Sequence, residues 1–210
     1  MRKIGRTTWA SILVVVLGLA LFAVGTDGFR AYTAEAARII KLNDEHPEFP
    51  KIVLQDNEGR TFTLSELSGK YVLMTFIYTS CGTVCPQIEM NMSEVYNRLP
   101  QDAIGQDIVF LSVSFDTDRD TPEVLEAYRQ YFVQDTNNWR LARVPDRGDL
   151  NNLLESFGVI VIPGNNGDYA HNGAFYLIDR NSRLAEIMNY TKVDQAVAKI
   201  ERRLAGDKGA

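Results

Sequence analysis

The stretch Tyr71–Gln87, YVLMTFIYTSCGTVCPQ, decides the fold, because it joins a continuous apolar run to a turn that holds two cysteines. Residues 71–77 carry no charge, which is typical of a strand buried on both faces. Pro86 fits the first turn of a following helix. An apolar stripe then continues that helix through Ile88, Met92, Val95 and Leu99. We therefore expect Cys81 and Cys85 between the carboxyl end of a strand and the amino end of a helix.

The rest of the chain alternates the signals of strands and helices. Residues 107–115 repeat the buried-strand pattern, and Thr121 and Pro122 begin a helix that we expect to reach Phe132. The other expected elements are a hairpin (51–55 with 60–64), a strand near 139–144, a helix in 149–158, a Gly- and Asn-rich loop at 163–168, strands near 174–179 and 183–189, and a helix over 193–204. This order predicts an α/β fold with a mixed sheet, strand 71–77 at its centre, and a thioredoxin-like arrangement.

The N-terminus predicts a membrane anchor. Basic residues at positions 2, 3 and 6 precede an uncharged apolar run at 9–25, and about 17–25 such residues span a bilayer as a helix. Because the basic residues should stay in the cytoplasm, we expect the rest of the chain outside it, on the periplasmic side of the inner membrane. A cleaved signal peptide is the alternative, since the small residues at 23–25 suit a signal peptidase. Both interpretations export the chain.

These signals divide the 210 residues into five segments. They are a cytoplasmic tail at 1–8, an anchor or signal peptide at 9–25, a stalk at 26–48, one thioredoxin-like domain at 49–205 and a short tail at 206–210. The net charge is -5, and no basic cluster follows the first residues. Both facts argue against a nucleic-acid partner.

The only cysteines, Cys81 and Cys85, belong to a chain expected in a compartment that permits disulfides. As a structural cross-link they would be poorly placed, because so short a loop removes only about 2 kcal/mol of chain entropy against about 4.7 for a hundred-residue loop. A reactive pair is the better interpretation, since a helix N-terminus favours thiolates and lowers a cysteine pKa. A spacing of four puts both sulfurs on one side of the first turn, within reach of one metal ion or of each other.

Two thiolates leave most metal sites incomplete, so a third soft or borderline ligand is needed. His46 lies in NDEHPEF at the end of the stalk, where a solvated linker residue is the expected role. His171 opens HNGAFYLID at the mouth of a late strand, and thioredoxin-like topology turns the loop entering that strand toward the cysteine turn. Cys81, Cys85 and His171 would then form a three-coordinate set that suits Cu(I), is tolerable for Cu(II) and falls one ligand short of structural zinc.

Four segments between about residues 49 and 190 are distinctive together: FIYTSCGTVCPQ, SVSFDTDRDTPEVLEAY, ESFGV and YAHNGAFYLID. They resemble the Sco/SenC family, membrane-anchored copper proteins of thioredoxin-like fold that help assemble the dinuclear copper centre of cytochrome c oxidase subunit II. The resemblance implies copper ligands at Cys81, Cys85 and His171, the set that the chemistry also favours. Family members commonly have Pro after the first cysteine and Asp before the histidine, where this chain has Gly82 and Ala170. The surroundings of the ligands therefore differ while the ligands are kept.

The resemblance implies a copper metallochaperone that delivers one copper ion to cytochrome c oxidase. Its expected partners are oxidase subunit II or a similar copper protein, a copper donor chaperone and a thiol reductase. The alternative is an extracytoplasmic thiol-disulfide oxidoreductase in which Cys81 and Cys85 act on the cysteines of a copper-protein client. A redox-inert thioredoxin-like adaptor is a third. The four-residue spacing and His171 favour copper, and metal loading and disulfide formation should exclude each other, because both need the same sulfurs.

Two other patterns are explained without chemistry. Asp116, Asp118 and Asp120 alternate as at the start of a calcium loop, but the Gly and Glu that such a loop requires are absent, so helix capping and solvation are their expected roles. Met90 and Met92 carry thioethers, yet methionine on a helix usually packs in the core.

Overall fold

The structure, a computed structural model, describes residues 5–26, 33–133, 137–165 and 167–207. The helices are α1 Arg6–Gly25, α2 Ala34–Glu45, α3 Val84–Arg98, α4 Pro122–Arg129, α5 Arg147–Ser156 and α6 Val193–Asp207. The strands are β1 Leu54–Asp56, β2 Thr61–Phe62, β3 Tyr71–Ile77, β4 Ile108–Ser114, β5 Trp139–Arg143, β6 Val161–Pro163, β7 Tyr169–His171, β8 Phe175–Ile178 and β9 Leu184–Met188. Several predicted features lie outside the described residues: positions 2 and 3 of the tail, 27–32 of the stalk, 166 of the loop and 208–210 of the C-terminal tail.

The main sheet has the strand order β2-β1-β5-β4-β3-β8-β9 among the described residues. Strand β4 runs parallel to β3 and β5, whereas β8 runs antiparallel to β3 and β9. This arrangement confirms the predicted mixed α/β sheet. The middle position belongs to β4 rather than β3, because the β1–β2 hairpin extends the sheet beyond β5.

The two parallel strands β3 and β4 form the core of the sheet, and every residue of both is buried. They pair in register from Tyr71 opposite Ile108 to Ile77 opposite Ser114. Because parallel strands end at the same edge of a sheet, the turn that follows β3 meets the segment that follows β4. This edge is where open α/β sheets usually place ligands.

The chain divides into two compact units, Met1–Glu45 and His46–Ala210. In the described part of the first unit, the segment Thr7–Gly25 of α1 is long and apolar enough to cross a membrane. Helix α2 follows at Ala34–Glu45, within the segment expected to form a stalk. The second unit contains all the strands named above.

His46 is exposed, as expected of a solvated residue at the end of the stalk. Its ring also has a partner that the sequence did not predict, since Nδ1 lies 2.8 Å from the carbonyl oxygen of Leu184. Its own carbonyl oxygen accepts a hydrogen bond from Arg183 Nε at 3.3 Å, and its φ is 47°. These contacts fasten the start of the second unit to edge strand β9. Their partners lie 138 and 137 residues away, so no local pattern announces them.

The loop expected at 163–168 is the tip of a hairpin that the sequence did not predict. Strands β6 and β7 form a separate two-stranded sheet in which Val161 pairs with His171. His171 therefore ends β7, with three residues between it and the start of β8, and does not lie at the mouth of β8 itself. Strands of three residues are too short to show the period-two alternation on which strand prediction depends.

Candidate metal centre

The turn after β3 places both cysteines at the N-terminus of α3. The helix begins at Val84, so Cys85 lies in its first turn, while Cys81 precedes it. The backbone N–H of Cys85 donates to the Cys81 sulfur, with 3.4 Å between the nitrogen and the Sγ. One of the free amide donors of a helix start thus points at a sulfur, which is the arrangement expected to favour a thiolate.

The two thiols have opposite acidities. Burial disfavours the Cys81 thiolate, but hydrogen bonds from the backbone N–H groups of Cys85 and Thr83, together with their side chains, outweigh it and lower the pKa of Cys81 to about 7. Burial raises the pKa of Cys85 far above its ordinary value; the backbone of Tyr78 opposes that rise, while Cys81 and Glu89 add to it. At neutral pH, Cys81 is partly thiolate and Cys85 is a thiol, so the expectation of at least one acidic thiol is confirmed.

Strand β7 brings His171 against the cysteine turn. Its Nε2 lies 3.4 Å from the Cys85 sulfur, although the two residues are 86 positions apart. Its buried Nδ1 has no hydrogen-bond partner among the described residues. Burial lowers the pKa of His171, so the ring is neutral at neutral pH. A neutral imidazole with a nitrogen facing a sulfur is in the state that metal binding requires.

An aromatic wall made of Tyr78, Phe115 and Tyr169 encloses the imidazole on one side. The centroid of the His171 ring lies 5.1 Å from that of Phe115 and 6.3 Å from that of Tyr78. Tyr169 stands edge-on to both, at 5.6 Å from Phe115 and 5.2 Å from Tyr78. Burial, and to a smaller extent the two sulfurs, raise the pKa of Tyr78, so its hydroxyl stays protonated.

The contacts among the three predicted ligands are pairwise: Cys85 with His171, and the Cys85 backbone with the Cys81 sulfur. Among the described residues, no three His, Cys, Asp or Glu side chains stand as a ready-made metal cluster. Cys85 therefore contacts both of the other two predicted ligands. Gly82 adds no side chain between the cysteines, and no atom lies within 4 Å of the place where its Cβ would be.

Asp120 stabilises the cysteine turn through hydrogen bonds to its backbone and side chains. It is fully buried, and its carboxylate accepts hydrogen bonds from the Thr79 backbone at 3.0 Å, the Thr79 hydroxyl at 2.5 Å and the Ser114 hydroxyl at 2.5 Å. These bonds join the cysteine turn to the end of β4. The expectation of a solvated role is wrong for Asp120, because its partners come from elements that the sequence does not place beside it.

The other two acidic residues of that segment also have partners. Asp116 is 5% exposed and forms an ion pair with Arg119, so solvation does not describe it. Asp118 is exposed and forms an ion pair with Arg147. Thr121 caps α4 as expected by accepting a hydrogen bond from a backbone N–H of the first turn.

Sequence reasoning missed a buried acid behind the sulfurs. Glu89 lies one turn after Cys85 on α3, is completely buried, and has no hydrogen-bond partner for either carboxyl oxygen among the described residues. Burial raises its pKa to about 8, against a smaller opposing effect of Ser112, so it is protonated at neutral pH. The signal was its spacing of four from Cys85, which places both residues on one helix face. The nearby Tyr128 hydroxyl is also buried without a partner in the described part of the chain.

The methionines of α3 divide between core and surface. Met92 is fully buried, as expected for core packing. Met90 is 63% exposed, so that expectation fails for it. The difference follows from helix geometry, because residues two apart point about 200° from each other.

Comparisons with known proteins agree with this architecture. The SCO1/SenC family profile matches residues 42–205. The SCO1 protein homolog of Bacillus subtilis strain 168 is 26% identical over 144 residues, which cover 68% of this chain and 74% of that protein.

Two solved structures are similar over most of their length. One is a SCO1/SenC family lipoprotein from Bacillus anthracis str. Ames, with 28% identity, a TM-score of 0.69 and coverage of 75% of this chain and 95% of that one. The other is Bradyrhizobium japonicum ScoI with copper bound, with 28% identity, a TM-score of 0.61 and coverage of 74% and 98%. These likenesses confirm the thioredoxin-like fold. Because the family profile covers well over half of its residues, the chain belongs to the SCO1/SenC family.

Proposed function

We propose that this protein is a copper metallochaperone that binds one copper ion through Cys81, Cys85 and His171 and delivers it to the dinuclear copper site of cytochrome c oxidase. The observation that carries the proposal is the 3.4 Å contact between Cys85 Sγ and His171 Nε2, beside a Cys81 sulfur that accepts a helix amide. Membership of the SCO1/SenC family and the copper-bound relative from Bradyrhizobium japonicum support the choice of metal.

The protonation states suit a cargo that is both held and released. Cys81 supplies a thiolate near neutral pH, and neutral His171 needs no deprotonation. Cys85 must lose its proton when the ion binds, so loading releases a proton and becomes less favourable as the pH falls. Two thiolates and one imidazole satisfy Cu(I) with three ligands, which leaves an open side where a ligand of the receiving protein can attack.

The proposed setting is the periplasmic side of the inner membrane, with α1 as the anchor. The apolar, membrane-compatible segment Thr7–Gly25 supports this placement, as does the Bacillus anthracis relative described as a lipoprotein. In that setting the partners would be oxidase subunit II or a similar copper protein, a copper donor and a thiol reductase that keeps Cys81 and Cys85 reduced.

A second candidate, a thiol-disulfide oxidoreductase, is favoured by the unequal acidities of the two thiols. The Cys81 thiolate would attack a client disulfide, form a mixed disulfide and release one client thiolate. Cys85, after losing its proton, would then attack the Cys81 sulfur, which closes the Cys81–Cys85 disulfide and releases the second client thiolate. The client gains the two electrons that the pair loses.

Titration of the reduced full chain in detergent with Cu(I), against a competing chelator, tests the metal site. We expect one copper per chain, and His171→Ala should weaken binding by at least about tenfold. The matched control is His46→Ala, which removes the other histidine and should leave the affinity unchanged. Equal affinities of wild type and His171→Ala would remove the third ligand.

Mixing the copper-loaded chain with the soluble copper domain of an oxidase subunit II separates the two functions. If the protein is a metallochaperone, the copper ion should move to the client. A chain in which Cys81 and Cys85 form a disulfide should hold no copper before the transfer. If the client instead loses its disulfide without gaining copper, and the His171→Ala variant reduces that disulfide equally fast, the oxidoreductase hypothesis replaces the metallochaperone hypothesis.

A further inference from the structure

We propose that the hydroxyl group of Tyr78 positions His171 for metal binding by fastening strand β7 to the cysteine turn. This inference deepens the proposed function and rests on it, because it concerns how the third ligand reaches the two sulfurs.

The hydroxyl makes two hydrogen bonds to one residue of β7. The Tyr169 backbone N–H donates to Tyr78 Oη at 3.2 Å, and Tyr78 Oη donates to the Tyr169 carbonyl oxygen at 3.3 Å. Residues two apart on a strand project to the same face, and the rings of Tyr169 and His171 both contact Tyr78 and Phe115. Fixing the backbone at Tyr169 therefore fixes the face from which His171 projects.

Tyr78 is also joined to the cysteine turn through its backbone. Its carbonyl oxygen accepts the Cys81 N–H at 3.3 Å. Tyr78 thus contacts the cysteine turn with its main chain and the histidine strand with its side chain. One side chain sets the spacing between the two halves of the site.

This attachment matters because β7 has no ladder to the main sheet. In the described residues it pairs with β6 alone. At the base of the hairpin, the Asn172 side chain bonds to the Ile160 N–H at 2.7 Å and the Gly158 carbonyl at 3.1 Å. At the tip, Arg119 donates to the Gly167 carbonyl at 2.7 Å, but that contact is exposed. Tyr78 is 3% exposed, and among these contacts its hydroxyl makes the one that joins β7 to the cysteine turn itself.

The test uses Tyr78→Phe, which keeps the ring in the aromatic wall and removes only the hydroxyl. Without the hydroxyl, the His171 side chain should sample more positions in the metal-free protein, and copper binding must restrict it to one. We therefore expect the Cu(I) affinity of the full chain in detergent to fall about fivefold. Tyr131→Phe is the matched control, because Tyr131 is 82% exposed and its ring contacts Phe132. It should bind copper like wild type.

A double variant separates positioning from general stability. If the hydroxyl acts through His171, adding Tyr78→Phe to His171→Ala should cause no further loss of affinity. In the metal-free protein, amide hydrogen exchange of the peptide containing β7 should be faster in Tyr78→Phe and unchanged in Tyr131→Phe.

Three outcomes would overturn the inference. If the two losses multiply in the double variant, the hydroxyl acts on the sulfurs or the fold and not through the histidine. If His171→Ala binds weakly while Tyr78→Phe matches wild type in affinity and exchange, the positioning role falls and the proposed function stands. If His171→Ala binds like wild type, the ligand set itself fails, and the inference fails with it.

Discussion

The cysteine turn directly follows strand β3, which is buried over its whole length, whereas His171 belongs to the separate two-stranded hairpin of β6 and β7. The fully buried Asp120 stabilises the turn by accepting a hydrogen bond from the Thr79 backbone. The hairpin exposes Ile162 and Ala170 and is attached through side chains. The difference shows that packing of the main sheet positions the two sulfurs, whereas side-chain contacts to the hairpin position the His171 imidazole. Substitutions near the sulfurs should therefore change stability or chemistry, and substitutions in the hairpin should change copper affinity alone.

The largest effect is expected from replacing a sulfur. Cys81→Ser or Cys85→Ser removes a thiolate, and a hydroxyl is a poor ligand for Cu(I), so affinity should fall by at least about a thousandfold, or about 4 kcal/mol. Chelator competition measures it. Ser80→Ala, an exposed neighbour in the same turn, is the control. Near-normal copper affinity in either serine variant would mean that the replaced cysteine is not a copper ligand.

The next effect concerns stability on the core side of the comparison. The pKa of Glu89 is about 8 in the folded chain and 4.5 when unperturbed, so the folded state holds this proton more tightly. The tighter binding of this proton contributes to the free energy of unfolding. That contribution is complete below about pH 4.5 and is lost as the pH rises to about 8. Glu89→Gln cannot ionise, so its stability relative to wild type should improve by about 3 kcal/mol between pH 5 and pH 8.

Urea unfolding of the metal-free chain at both pH values measures this difference. Glu201→Gln, on the exposed side of α6, should show no such trend. A constant difference between Glu89→Gln and wild type at all pH values would mean that the carboxyl group is not held neutral behind the sulfurs.

A smaller difference is expected between the two cysteines. With a pKa of about 7, Cys81 should react with iodoacetamide at a rate that rises through neutral pH and then levels off. Cys85 should react at least about tenfold more slowly at pH 7, because its pKa is raised and it is fully buried. Peptide mass spectrometry assigns the modified residue. In urea both should react alike, and equal rates in the folded chain would contradict the assigned acidities.

The smallest effect is expected in the hairpin. Arg119→Gln removes the hydrogen bond to the Gly167 carbonyl, the cation–π contact with Tyr169, 5.5 Å from its ring centroid, and the ion pair with Asp116. Because the contact with Gly167 is exposed, copper affinity should fall only about twofold, whereas loss of the ion pair with buried Asp116 should lower thermal stability separately. Arg147→Gln, which breaks an exposed ion pair elsewhere, is the control. A large loss of copper affinity in Arg119→Gln would show that the contact at the tip of the hairpin positions His171.

Part of the site could be predicted from local signals. The seven residues of β3 have the predicted bounds, since an uncharged run of that length can only be buried. The position of the turn before α3 predicted that at least one of the two cysteines is acidic, and the structure assigns that role to Cys81. The other predicted strands, β1, β2, β4, β5, β8 and β9, and the predicted helices α3 to α6 were also found near their expected positions, with ends displaced by a few residues.

The sequence by itself determined the apolar N-terminal helix, the mixed sheet and the pair of cysteines at a helix start, because each depends on side chains that are neighbours along the chain. Only the tertiary structure decided what meets those sulfurs. His171 reaches Cys85 across 86 positions, and Tyr78 reaches Tyr169 across 91. Glu89 is held neutral because packing removes water from it, whereas its spacing on α3 shows only that it shares a helix face with Cys85. The physical reason is that hydrogen bonds and desolvation between distant segments depend on how the sheet brings them together, and no local pattern encodes that distance.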